Sequence, residues 1–270
     1  MNRHKQIIYS FIFIIIGTFF LSIGSILNVS DQERKNIVKD VIVMTVNKEN
    51  SKDYNYRPSN IPTNIADEGL VEHEPIVMAH IKIPTYNQAT TGYILGCEGV
   101  SLFMALKGLG YIEKYNIDDF MKTMPKGKTP FEGYMGNPKI GHNGENTGKR
   151  TTIYPEPLAN WASKYATGKD LTGATIEDLK KELDEGHVVL VYVTSGWNKP
   201  IWKKYSWSIN PKGEIENNHC LTIVGYRANG DFLVNDCHDG RVDGRQGEYW
   251  VSASKFAEIY NLRNYAVSVY

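Results

Sequence analysis

Three cysteines are spread along the chain: Cys97, Cys220 and Cys237. An odd number cannot all pair within one molecule, so at least one thiol is free or bonded to another chain. Cys97 is placed for chemistry. It lies in Gly96-Cys97-Glu98, at the start of a helix predicted over 97–109, with Val100, Phe103, Met104 and Leu106 on its apolar side and Gly110 as its stop. A helix N-terminus favours a thiolate and offers a backbone N–H to an oxyanion forming on an attacked carbonyl. A cysteine nucleophile needs a base, and His219 opens the strand HCLTIVGY. The base needs an orienting group, and Asp236 closes the next strand, FLVND. Alone, Cys97 would read as a core thiol. With His219 and Asp236 in order behind it, the pattern is that of a nucleophile, base and carboxylate triad.

The register of the two strands tests this. A two-residue turn at Asn229-Gly230 would pair His219 with Gly240 and leave Asp236 four residues away, roughly 13 Å along the strand. A loop of about four residues centred near Ala228 brings the two within direct or diagonal reach. The sequence therefore predicts a longer loop or a bulge here. In any of these registers without a bulge, His219 and Asp236 share one face, and Cys220 and Cys237 share the other, either as a cross-strand disulfide or as reduced core thiols.

The elements that must hold these residues can be read in outline. His80–Tyr86 reads as a strand around Ile81 and Ile83. Asn116 caps a helix over 117–123, with Asp119 at its third position. Residues 125–152, rich in Gly, Lys, Asn and Thr, read as a long loop without phosphate-binding spacing. Pro157 stands in the first turn of a helix over 156–166. Thr175 and Asp178 form a capping pair for a helix over 176–185, closed by Gly186. Val188–Thr194 (VVLVYVT) is a continuous apolar run, hence a central strand buried on both faces. Strands follow at 220–226, 231–235, 248–251 and 265–270, with a helix over 253–260 capped by Ser252. Helices mostly first and strands mostly last predict an α+β fold on a largely antiparallel sheet.

Taken together, Tyr86-Asn87-Gln88, Gly96-Cys97-Glu98-Gly99-Val100-Ser101, Asn218-His219-Cys220-Leu221-Thr222-Ile223-Val224-Gly225-Tyr226 and Val234-Asn235-Asp236 resemble the C39-like peptidase family of bacterial extracellular proteins, a branch of the papain-like cysteine peptidases. The resemblance covers residues 80–270. It implies a papain-like fold, a helix-borne nucleophile at Cys97, a base at His219, an orienting carboxylate at Asp236 and an oxyanion-hole amide at Gln88. It departs at Cys237, where many members carry Pro. The related bacteriocin-leader peptidases usually have Asp before the nucleophile, where this chain has Gly96, and they act on the cytoplasmic side. Both points argue against processing of double-glycine leaders.

The N-terminal part supplies the setting. From Ile7 to Leu27 no residue is charged, a length that spans a bilayer as a helix. Arg3 and Lys5 precede it, which leaves the N-terminus in the cytoplasm and the rest outside. Residues 1–27 read as an uncleaved anchor, with a cleaved signal at Ser22-Ile23-Gly24 as the alternative. Residues 28–79 read as an extracytoplasmic stalk. It carries one short amphipathic element over 37–46 and a polar linker at Lys48–Thr63. The folded domain is 80–270.

Composition closes off other classes. The 270 residues hold 30 Lys+Arg and 30 Asp+Glu, with 41% apolar residues. That excludes wholesale disorder and a disulfide-dense miniprotein, and it gives no electrostatic reason to bind nucleic acid. Neutrality also means that selectivity lies in the shape of the cleft. The aromatic segment 195–218, with Trp197, Trp202 and Trp207, is expected to wall that cleft and bind substrate. His80, His142, His187 and His238 read as structural or solvated. No zinc spacing is present, and the acidic turn around Asp239 and Asp243 fails the EF-hand pattern, so no metal or other cofactor is expected.

The sequence thus predicts a cysteine peptidase anchored in the bacterial cell membrane, or secreted, that hydrolyses a peptide or amide bond in a peptide or protein substrate. A non-catalytic surface-binding module on the same fold, or an acyltransferase or transpeptidase using the same triad, are the alternatives.

Overall fold

A computed structural model describes residues 74–139, 150–238, 240 and 243–270. The apolar run 7–27, the amphipathic element 37–46, the linker 48–63, His142 and Asp239 lie outside the described residues. Among those described, no helix is long and apolar enough to cross a membrane.

The sheet is built from β1 (Val77–His80), β2 (Gly168–Asp170), β3 (Val188–Thr194), β6 (Asn218–Arg227), β7 (Phe232–Asp236), β8 (Gly247–Val251) and β9 (Ala266–Val269). A small separate pair, β4 (Trp202–Lys203) and β5 (Glu214–Ile215), lies in the connection between β3 and β6. The main sheet runs β2-β9-β3-β6-β7-β8, with β1 added on β6, and every pairing is antiparallel. The first strand differs from expectation: it lies at 77–80, and Ile81 adds one further bond from its N–H to the Val224 carbonyl. Pro84 follows, and a proline has no N–H to give a ladder.

All seven residues of β3 are buried, because both of its faces are covered. Val188, Leu190 and Tyr192 meet one helical layer, while Val189, Val191 and Val193 meet another. The first layer is α1 (Cys97–Gly108), α2 (Ile117–Lys122) and α3 (Pro155–Ala162). The second is α4 (Ile176–Asp184) and α5 (Ala253–Tyr260). The helix starts follow the sequence. The Asn116 side chain accepts from the Asp119 N–H, Thr175 and Asp178 form a reciprocal capping box, and Ser252 accepts from the Lys255 N–H.

α1 is buried from Cys97 to Leu106, which is more than one apolar side requires. The sheet covers one flank and the α2–α3 layer the other, with Phe120 stacked on Trp161 at 4.6 Å. Its one buried hydroxyl, Ser101 Oγ, is satisfied by donating to the Cys220 carbonyl at 3.1 Å, which ties the helix to β6.

Candidate active site

The hairpin between β6 and β7 sets the geometry. Arg227 N–H donates to the Asp231 carbonyl, which leaves a three-residue loop with Gly230 at φ +90°. In addition, β6 carries an extra residue, Val224: Ile223 pairs with Val234, but Gly225 pairs with Leu233. The longer loop and the bulge are both present. Continuing the Thr222–Asn235 pairing puts Asp236 opposite Leu221, two residues from His219 and on the same face. The imidazole closes the gap, with His219 Nε2 at 2.6 Å from Asp236 Oδ1.

Asp236 is well held. Its Oδ1 also accepts the His238 backbone N–H at 2.8 Å, and its Oδ2 accepts the Tyr249 hydroxyl at 2.7 Å. Behind it, Trp197 Nε1 donates to the Tyr249 oxygen at 3.0 Å. Burial works against ionisation of Asp236. The His219 charge and the hydrogen bonds from His219, Tyr249 and the His238 backbone outweigh it and keep the carboxyl below the usual aspartate range.

Cys97 opens α1 and is 8% exposed. Its N-cap, Gly96, makes no side-chain capping bond. A Cβ on Gly96 would lie only 3.1 Å from Met121 and Pro138 and 3.2 Å from Tyr93, so the helix starts where only glycine fits easily. The sulfur faces β6, where Cys220 makes a backbone hydrogen bond to it, and His219 is the residue before Cys220. Burial pushes the Cys97 thiol well above its ordinary range, and Glu98, Cys237 and Cys220 push it further. Desolvation and the carboxyl next door oppose the helix-end dipole, which led to the thiolate expectation.

Gln88 is brought to the same place. Its backbone N–H donates to the Cys237 carbonyl at 2.8 Å. Its side chain is buried, donating from Nε2 to the Ile94 carbonyl at 2.9 Å and accepting the Cys237 thiol at Oε1, at 3.5 Å. Cys237, at the position where relatives often carry Pro, therefore sits between the oxyanion-hole candidate and the nucleophile helix. All three cysteines are free and buried, so Cys220 and Cys237 take the reduced core option.

The three tryptophans separate. Trp197 is buried, packs on Phe256 and supports Tyr249, so it stands behind Asp236 and not on a cleft wall. Trp202 is half-buried in β4. Trp207 is half-buried and stacks on Tyr205 at 4.9 Å.

Two residues beside the site were not assigned to it by the sequence, which reads His238 as structural or solvated and gives Glu98 no role. His238 packs its ring edge-on against His219, with centroids 5.3 Å apart. The available signal was its position two residues beyond Asp236. Glu98 is completely buried, and an acidic residue in a first helical turn reads as an ordinary dipole complement.

Among the described residues, two groups of side chains bring three donor atoms within 4.8 Å of one another: His219 with Asp236 and Cys237, and Glu182 with Glu185 and His187. In the first, His219 and Asp236 are bonded to each other. In the second, Glu182 already accepts from Lys169 and Ser268 and pairs with His187.

Comparison with known proteins agrees with this architecture. The Peptidase_C39 like family matches residues 80–268. A crystal structure described as a C39-like peptidase from Bacillus anthracis superposes with a TM-score of 0.55 at 20% identity, covering 73% of this chain and 98% of that one. A double glycine motif protease from an AMS/PCAT transporter, solved with its leader peptide, gives a TM-score of 0.40 at 14% identity, covering 72% and 95%. No curated protein matches. With two thirds of its length inside the family match, and with helices packed on both faces of an antiparallel sheet, the chain belongs to the Peptidase_C39 like family and has the papain-like fold.

Proposed function

We propose that the protein is a cysteine peptidase whose triad is Cys97, His219 and Asp236, with Gln88 in the oxyanion hole. The observation that carries this reading is the 2.6 Å bond between His219 Nε2 and Asp236 Oδ1, beside a cysteine at a helix start. Nε2 is bonded to the carboxylate, and this reading assigns Nδ1 to the sulfur chemistry.

In this mechanism Nδ1 takes the Cys97 proton as the sulfur attacks a peptide carbonyl. The oxyanion lies against the Cys97 backbone N–H and the second Nε2 hydrogen of Gln88, the first being bound to Ile94. The imidazolium then protonates the leaving amine, and water activated by His219 hydrolyses the thioester. Asp236 fixes the ring and stabilises its charged form. Trp202 and Trp207, on the segment leading into His219, are assigned to the substrate wall. The substrate is a peptide or protein. The apolar run 7–27 supports a catalytic domain held outside the cytoplasmic membrane, and membrane fractionation with protease shaving of intact cells tests that placement.

The activity test is digestion of a peptide library by the full chain, read by mass spectrometry, beside Cys97→Ala. Cleavage by the native chain and none by the variant is the expected result. Full activity in Cys97→Ala overturns the residue assignment, and no cleavage by the native chain overturns the peptidase. Products capped by an added amine would make it an acyltransferase.

A further inference from the structure

The hydrogen of the nucleophile is already bound. Cys97 Sγ donates to Glu98 Oε2 at 3.3 Å, and Glu98 has no exposed surface. The other oxygen, Oε1, accepts the Thr152 hydroxyl and the Asn218 side-chain amide, the latter at 3.5 Å, with Asn218 also 3.3 Å from Thr152 Oγ1. Glu98 is thereby fixed from two further parts of the chain, and one of these is the residue before His219. Neighbours three and four apart on a helix meet, whereas adjacent ones do not face each other. A contact between Cys97 and Glu98 therefore has to be imposed by the surroundings, and Thr152 and Asn218 impose it.

We propose that Glu98 is a positioning residue that parks the Cys97 thiol, so that the nucleophile rests as S–H and becomes reactive only when this bond is given up and the proton passes to His219. This rests on the reading of Cys97 as the nucleophile. A thiolate formed while Glu98 is ionised would set two negative charges side by side in a buried place. The charged and titratable groups that act on the pair are Tyr134 and Arg150 from the loop side, Tyr192 from β3, Cys220 from β6 and Cys237 just after β7, while Asp236 and Arg263 act on Cys220, and His219 precedes it in the chain. Of these, Arg150 lowers the Glu98 carboxyl, which burial raises. Cys237 and Cys220 act on the Cys97 thiol in the same direction as Glu98, while the Cys220 backbone hydrogen bond acts the other way.

The test is the pH dependence of Cys97 alkylation by iodoacetamide, with the labelled cysteine identified by peptide mapping. Glu98→Gln keeps an acceptor for Thr152 and Asn218 but puts an uncharged N–H donor against the sulfur. It should move the alkylation profile to lower pH and raise the rate near pH 6 by about tenfold or more, one unit of thiol acidity being tenfold in thiolate. A profile unchanged by Glu98→Gln overturns the proposal, since a merely structural role would not move it. Thermal melting checks the fold of the variant. If it does not fold, thiolate ultraviolet absorbance in the native chain, minus that of Cys97→Ser, decides: a thiolate signal near pH 6 overturns the proposal, and its absence supports it. Neither readout needs turnover. A chain that cleaves peptides but shows no Glu98 effect refutes parking alone, and one that shows the effect without cleaving refutes the peptidase alone.

Discussion

His219 and Asp236 stand one diagonal step apart across β6 and β7, and the extra residue at Val224 is what puts them there. A plain ladder from the same turn would change the pairing by one and separate the two faces. The carboxylate is thus a partner made by backbone geometry. Asp236→Asn keeps the shape but removes the charge that, in the proposed mechanism, stabilises the imidazolium. It should lower kcat/KM for a cleaved peptide by about 10²-fold or more. Activity within a few-fold of native would remove Asp236 from the mechanism.

The pH dependence of stability has a defined sign at the same residue. Asp236 is held below the usual aspartate range, so the unfolded chain binds its proton more readily. The stability it adds is complete above the unfolded value of about 3.9 and is lost as pH falls through the lower folded value. Urea unfolding of native chain and Asp236→Asn should therefore differ most above about pH 5 and converge in acid. A gap that widens on acidification would contradict this.

Tyr249 supports Asp236 from behind, and its hydroxyl in turn accepts from Trp197. Tyr249→Phe leaves one buried carboxylate oxygen and one buried indole N–H short of a partner. A loss of about 1–3 kcal/mol in unfolding free energy is expected, with a smaller fall in activity than Asp236→Asn produces. An unchanged melting temperature would show the chain of bonds to be incidental.

Gly96 predicts a steric effect. Gly96→Ala sets a methyl against Met121, Pro138 and Tyr93 at the start of the nucleophile helix. Overpacking of this kind costs about 1–3 kcal/mol. Combining it with Met121→Ala should recover part of that cost, because the two share the same space. Strict additivity in the double mutant would rule out the clash.

Much of this was legible because it is local. The caps at Asn116, Thr175 and Ser252 are three-residue patterns, and β3 declares itself by seven apolar residues in a row. The order of Cys97, His219 and Asp236 is visible in the chain, and the paper register already demanded an irregular hairpin. The remainder depends on distant partners. β2, β4 and β5 have two or three residues each, too few to show a period. Trp197 looked like a wall residue because its hydrogen-bond partner, Tyr249, is 52 positions away. Glu98 drew no assignment because Thr152 and Asn218, which bond its other oxygen, are 54 and 120 positions away.

The bond from Cys97 to Glu98 bears on how this protein can be found and blocked. Generic electrophiles rank thiols by intrinsic acidity and exposure, and a buried thiol with a bound proton comes low on both counts. On the proposed reading, surveys with small thiol reagents under-count a peptidase of this kind. A peptide-borne warhead works differently: binding carries the electrophilic carbon to the sulfur, and the proton moves at the moment of attack. Inhibitors for this site are best built from the substrate outward, with the reactive group chosen last.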